Sequence, residues 1–444
     1  MKILFCVEFY YPSVGGAQEV VRQLAERMQA RGHQVTVATS KLSNRKSIVQ
    51  NGVAINEFEI SGNLVRGFTG DLEKYQSYLV NGDFDAVFFY AAQQWTFDAA
   101  WPVLEKIKAK KILVPCGYSG LFLPEYKEYF ENLPEALRSM NLVVYHAQDY
   151  RDSNFAKDLG LKNGILIPNA ANLEEFLVER DNTFRSRIGA SKEDFVILTV
   201  GSLTGLKGHW ELAKAVDQIA INTKYGKIFL ILNGNTPEIN GRGSKILKYI
   251  IYLFRHYGIK YTLKHLLKLL LVRLGFMQNI GNSLEDIVRK INAKSMGEKK
   301  VALCDLPRAE LVQAYLNANL FVFASNIEYS PLVLFEACAS NLPFLTVPVG
   351  NSREIVAWTK GGELCPATVD NTGYTRVDPV VLAKFIEELM QSPDRLSELG
   401  SNGLKASRDR FNWDNIVLEY EGAILKMLEQ KESPTRVLAE VAHG

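Results

Sequence analysis

Two carboxylates stand eight residues apart in the run Glu328-Tyr329-Ser330-Pro331-Leu332-Val333-Leu334-Phe335-Glu336-Ala337. A carboxylate accepts hydrogen bonds only, so the pair suits a ligand rich in hydroxyls. Ser330 fits an N-cap and Pro331 the first helical position. That places Glu328 in a loop and Glu336 about one and a half turns into a helix. The free N–H groups of the first turn, near Leu332 and Val333, make an anion site. Lys207 lies in a second loop, bounded by Gly201 and Gly208. A cation there can neutralise an anionic group such as a phosphate. Both features also have an ordinary reading: a solvated glutamate pair beside an amphipathic helix, and a solvated loop lysine. Gly15-Gly16 allows backbone to approach a phosphate or acceptor closely at a helix N-terminus; it equally fits a turn at positive φ.

These groups need strands and helices to aim them. Ile3–Val7 is a short apolar run, as in a buried parallel strand. A glycine loop, a helix over Ala17–Arg31 and a strand at Val35–Ala38 complete a βαβ unit. Further strands are expected at Ala86–Tyr90, Ile112–Pro115, Leu142–Tyr145 and Ile165–Pro168. A second unit of the same kind begins with a strand at Phe195–Val200, the Gly201–Gly208 loop and a helix at His209–Ala220. Its strands follow at Ile228–Leu232, Val301–Cys304, Leu320–Ala324 and Phe344–Val347. The fold class is therefore α/β, with two Rossmann-like domains, at 1–180 and 190–408, facing an interdomain cleft where ligand binds. The polar stretch Asp181–Glu193 is the expected linker.

The glutamate run resembles the E-x7-E motif of family four glycosyltransferases, the group 1 retaining GT-B enzymes. Other segments resemble that family in the same order. Phe9-Tyr10-Tyr11-Pro12 to Gly15-Gly16 is similar to its first glycine loop, and Ile167-Pro168-Asn169 to the strand entering its linker. Val200-Gly201-Ser202-Leu203 to Lys207-Gly208 is similar to its phosphate loop. Val349 to Ile355 is similar to the segment after the motif, and Phe411-Asn412-Trp413 to the start of a closing helix, here 409–432, that crosses back to the first domain. The resemblance implies a nucleotide-diphosphate sugar as donor substrate, with no further cofactor and no metal. It assigns the sugar hydroxyls to Glu328, the ribose to Glu336 and the diphosphate to Lys207. Gly201, Ser202, Ser330, Leu332 and Val333 complete the donor side, and Gly15 and Gly16 the phosphate or acceptor loop.

The chain departs from that pattern at two places. Ser202 stands where the family commonly has arginine, which removes a bidentate phosphate contact. Arg308 and Arg353 are the candidate substitutes. The family's histidine after a mid-domain strand is missing from Val114-Pro115-Cys116-Gly117-Tyr118-Ser119-Gly120. His146 and Tyr118 are then the candidates for the acceptor side; for His146 a satisfied structural role is the favoured reading. Asp83-Phe84-Asp85 follows Gly82 and reads as a turn rather than a metal-binding pair.

Composition agrees with a folded protein: 47% hydrophobic and 23% charged residues over 444, with net charge +2. So small a charge argues against nucleic acid as a partner. Five scattered cysteines without a Cys-x-x-Cys pair point to a reducing compartment, so a cytoplasmic location is expected. A basic, apolar-rich insertion occupies about 241–298. Residues 242–273 place cationic stripes on two amphipathic helices. These suit an anionic membrane surface, which would make the protein peripheral, or a hairpin packed on its own domain. The expected function is retaining transfer of a sugar to a glycan or lipid-linked acceptor in cell-surface polysaccharide biosynthesis. The alternative is a non-catalytic nucleotide-sugar-binding scaffold in a membrane-associated glycan assembly.

Overall fold

The computed structural model describes residues 1–220, 225–234, 263, 283–294, 297–371 and 373–429. The basic stretch 242–273 falls outside them except for Leu263. The chain forms two compact units. The first comprises Met1–Leu173, Tyr329–Phe335 and Ser407–Gly444; the second comprises Glu174–Glu328 and Glu336–Ala406. The backbone thus leaves the second unit after Glu328 and re-enters it at Glu336. The stretch Glu174–Asp181, before the expected linker, belongs to the second unit.

The first unit is built on a sheet of eight strands: β1 (Lys2–Cys6), β2 (Gln34–Ser40), β3 (Val49–Gln50), β4 (Val53–Phe58), β7 (Ala86–Tyr90), β8 (Lys110–Val114), β9 (Leu142–Tyr145) and β10 (Gly164–Leu166). Their order is β10-β9-β8-β7-β1-β2-β4-β3, and only the β3–β4 pair is antiparallel. The hairpin of β5 (Ile60–Asn63) and β6 (Gly67–Gly70) stands apart from it. A parallel sheet is covered on both faces, which is why its central strands read as unbroken apolar runs. One face packs Trp95, Tyr75, Phe89 and Tyr129. The other packs Phe5 and Phe88 against Val20, Val21, Leu24 and Met28 of the helix Gly16–Ala30. The helix Trp413–Glu429 completes that second layer with Trp413, Ile416, Val417, Tyr420, Ile424 and Met427. Spacings of three and four residues put these on one face.

The second unit has a six-stranded parallel sheet: β11 (Phe195–Val200), β12 (Ile228–Asn233), β13 (Lys299–Cys304), β14 (Leu320–Phe323), β15 (Phe344–Thr346) and β16 (Gly362–Leu364). The order is β13-β12-β11-β14-β15-β16. The chain runs outward from β11 to β13 on one side and from β14 to β16 on the other. Strand order therefore reverses between β11 and β14, the switch point where open α/β sheets bind ligand at their carboxyl ends. The loops that leave those two strands contain Lys207 and Glu328.

Candidate functional site

Both loops at the switch point are held by backbone. Gly208 precedes the helix His209–Gln218 with φ +74°, and a Cβ there would lie 2.0 Å from the Ala324 carbonyl oxygen. Only glycine allows that approach. Asn326 donates its N–H to the Leu206 carbonyl at 2.9 Å. Ser325 Oγ lies 3.1 Å from the same oxygen and 3.3 Å from Glu328 Oε1. On this frame Lys207 Nζ reaches Glu328 Oε1 at 2.5 Å, the side chains being 25% and 18% exposed. Gly201 makes room for the lysine stem: a Cβ on it would sit 3.0 Å from Lys207 Cβ. His209 is buried, and burial lowers its pKa to about 4, so it is neutral at physiological pH. Ser202 is half-buried in the same loop.

Glu336 lies five residues into the helix Leu332–Ala339. Its Oε1 accepts from Arg308 Nη2 at 2.7 Å and its Oε2 from the Tyr315 hydroxyl at 3.0 Å. Arg308 also donates to Glu175 Oε2, through Nε at 2.8 Å and Nη2 at 2.5 Å. Arg308, one candidate substitute cation, is paired with two carboxylates. Arg353, the other candidate, is exposed on the helix Ser352–Thr359.

The remaining candidates lie in the first unit. Ser330 does not cap the motif helix. The helix starts at Leu332, Ser330 Oγ is buried without a hydrogen-bond partner, and Asn169 Nδ2 binds the Ser330 carbonyl at 3.2 Å. Leu332 packs on the core layer of Phe5 and Phe88, and Val333 is half-buried. Gly15 is extended (φ 177°) and precedes the helix Gly16–Ala30, so the positive-φ turn expected at Gly15-Gly16 is absent. Space beside Gly16 is open.

His146 and Tyr118 are both buried, at 1% exposure each, and present no side chain to an acceptor. His146 binds the Ile167 carbonyl through Nδ1 at 2.8 Å and the Tyr90 hydroxyl through Nε2 at 3.1 Å. Burial lowers its pKa to about 4. Tyr118 packs between Phe130 and Phe155.

Tyr329 was not among the expected residues, yet its hydroxyl is anchored in the first unit. Its hydroxyl accepts the His146 N–H at 2.9 Å and bonds to the buried Asp152. Asp152 also accepts the Gly117 N–H at 3.0 Å; burial raises its pKa to about 6 against those bonds. Cys116, Gly117 and Tyr118 are all left-handed, and a Cβ on Gly117 would lie 2.7 Å from the Tyr329 ring. Backbone strain of this kind persists only where surroundings enforce it. Among the described residues no cluster of three or more His, Cys, Asp or Glu could hold a metal ion.

The profile of the family described as "Glycosyl transferases group 1" matches residues 180–405, just over half of the chain. The chain belongs to the group 1 glycosyl transferases. Solved structures extend the likeness of this glycosyl transferase to nearly its whole length. Sucrose-phosphate synthase (tll1590) from Thermosynechococcus elongatus aligns with TM-score 0.69 and 18% identity, covering 96% of this chain and 98% of that one. HepE (Alr3699) of Anabaena, solved with UDP and glucose, aligns with TM-score 0.64 and 15% identity over 96% and 100%. WaaG, a glycosyltransferase involved in lipopolysaccharide biosynthesis, aligns with TM-score 0.60 and 14% identity over 95% and 99%. The fold of this glycosyl transferase is GT-B. No curated protein sequence matches it.

Proposed function

We propose that this group 1 glycosyl transferase moves a sugar from a nucleotide-diphosphate donor to a hydroxyl of a glycan or lipid-linked acceptor, with the anomeric configuration retained. The observation that carries the reading is the contact of Lys207 Nζ with Glu328 Oε1, 2.5 Å, at the β11/β14 switch point. A cation and a carboxylate side by side suit a ligand whose phosphate adjoins a polyol. The diphosphate takes Lys207 and the first-turn N–H groups of the helix His209–Gln218, and the sugar hydroxyls take Glu328. Glu336 takes the ribose. The acceptor oxygen bonds to the anomeric carbon as the bond to the diphosphate breaks on the same face. The acceptor's proton passes to the departing phosphate oxygen, and Lys207 stabilises the charge that develops there. Lys207 and the helix N-terminus perform the neutralisation a metal ion would otherwise supply.

UDP and UDP-glucose in the solved HepE complexes support a sugar nucleotide as donor. The part played by WaaG in lipopolysaccharide biosynthesis supports a role in cell-surface polysaccharide assembly. We place the protein in the cytoplasm, at the inner face of a membrane through residues 242–273. No helix among the described residues is long and apolar enough to cross a membrane. Flotation with anionic liposomes that survives neutralising the lysines of 242–273 would remove the electrostatic basis of that placement.

The decisive experiment incubates the protein with a panel of sugar nucleotides and acceptors and reads product configuration by NMR. Transfer with retention is expected, and an inverted product overturns the mechanism. Ser202, at the position where the resembled family commonly has arginine, favours a second reading as a nucleotide-sugar-binding scaffold. Donor binding without transfer or slow hydrolysis would decide for it.

A further inference from the structure

Arg308 sits where a cation is ordinarily disfavoured, at the first residue of the helix Arg308–Asn317, beside the positive end of its dipole. Two carboxylates offset that cost. Glu175 accepts from Nε and Nη2, and Glu336 from Nη2. The guanidinium also lies over the Phe176 ring, 5.7 Å from its centre. Tyr315, two turns along the same helix, supplies the other contact to Glu336. Its ring is fully buried, stacked on Phe321 of β14 at 5.5 Å and edge-on to Phe176 at 5.7 Å. Burial, and then the Glu336 carboxylate, push its hydroxyl pKa well above the ordinary value, so it stays a donor.

Glu336 therefore has each oxygen fixed by a separate donor on one rigid helix. A carboxylate has about four acceptor positions. With one used on each oxygen, about one on each remains, and both point where the rotamer lets them. Two neighbouring hydroxyls match that pair of free positions.

We propose that Arg308 and Tyr315 are positioning residues that orient Glu336 for the 2′,3′-diol of the donor's ribose, and that this clamp sets the preference for ribonucleotide over deoxyribonucleotide donors. The inference rests on the assignment of Glu336 to the ribose. Arg308 acts through Glu336, to which it donates at 2.7 Å.

The test measures calorimetric affinity of the full chain for UDP, ADP and GDP and for their 2′-deoxy forms. The wild type is expected to bind at least one ribose form about tenfold or more tightly than its deoxy form, the discrimination of a hydrogen bond to a charged group. Arg308→Met should weaken the ribose form more than the 2′-deoxy form, which keeps only the 3′-hydroxyl contact, and so bring the two affinities together. Arg308→Lys should recover part of the preference, and Tyr315→Phe should lose part of it. In transfer assays the loss should fall on donor KM, with kcat within a few-fold. A wild-type preference that persists in Arg308→Met and Tyr315→Phe overturns the inference alone. No preference in the wild type overturns the ribose assignment of Glu336, and the inference with it. Loss of affinity for both forms alike in Arg308→Lys, which keeps the charge, would mark Arg308 as structural and overturn its role.

Discussion

Lys207 and Glu328 meet at 2.5 Å with little exposure, so each is the other's neutralising partner. Removing either leaves a partly buried charge unmatched and takes away one end of the proposed donor contact. Glu328→Gln and Lys207→Met are each expected to lower kcat/KM for transfer by about 100-fold or more. Because they act on one reacting centre, the double variant should be no slower than the slower single one. Steady-state kinetics of the four proteins checks this; additive losses would show two independent roles. Nothing in residue order states that the loops of Lys207 and Glu328, 121 positions apart, touch.

At the scale of elements, the site depends on how closely the loops after β11 and β14 approach. Gly208 is the tightest point, with positive φ and a carbonyl oxygen 2.0 Å from where a Cβ would stand. Gly208→Ala meets both a steric and a conformational cost, and should destabilise the protein by about 2–4 kcal/mol. Urea denaturation beside wild type measures it. A change below about 0.5 kcal/mol, the range of ordinary surface substitutions, would show that the loops can part freely. The Gly201–Gly208 loop was recognisable from its glycines, but which glycine the fold could not spare was not. Gly201 borders a flexible lysine stem, whereas Gly208 borders backbone.

At the scale of the molecule, two features determine stability. The helix Trp413–Glu429 lies far along the chain yet fills the first unit's core, with Tyr420 fully buried against Phe88. Tyr420→Ala should cost about 3–5 kcal/mol, the price of a large core cavity, and lower the thermal midpoint. Unfolding that leaves the midpoint within a degree would refute the packing role. Buried ionisable groups set the pH response. Burial raises Asp98 to about 7, against hydrogen bonds from Tyr129 and the Leu64 N–H. Its folded pKa exceeds the ordinary 3.8, so its contribution is full below about pH 4 and is lost as pH rises through about 7. His146 and His209, lowered to about 4, act oppositely: their contribution is full above about pH 6.5 and is lost as pH falls through 4. The wild-type midpoint minus that of Asp98→Asn should therefore fall between pH 4 and pH 7.5. A constant difference would mean that Asp98 is ionised throughout.

The sequence by itself determined the α/β class, the main parallel strands and the order of the motifs. Strands covered on both faces must be continuously apolar, and Ala86–Tyr90, Leu142–Tyr145 and Phe195–Val200 occupy the expected residues. The strands of Val49–Gly70 were not legible: β4 alternates buried and exposed residues instead of forming an apolar run, and the short hairpin of β5 and β6 rests on turn geometry. Only the tertiary structure decided what each polar group faces. It buried His146 and Tyr118, paired Arg308 with Glu336, and joined Tyr329 to Asp152. Such pairings arise between elements far apart in the chain, where local periodicity has no reach. The glutamates Glu328 and Glu336 could be found by spacing; the groups that hold them, Lys207 for one and Arg308 with Tyr315 for the other, come from packing.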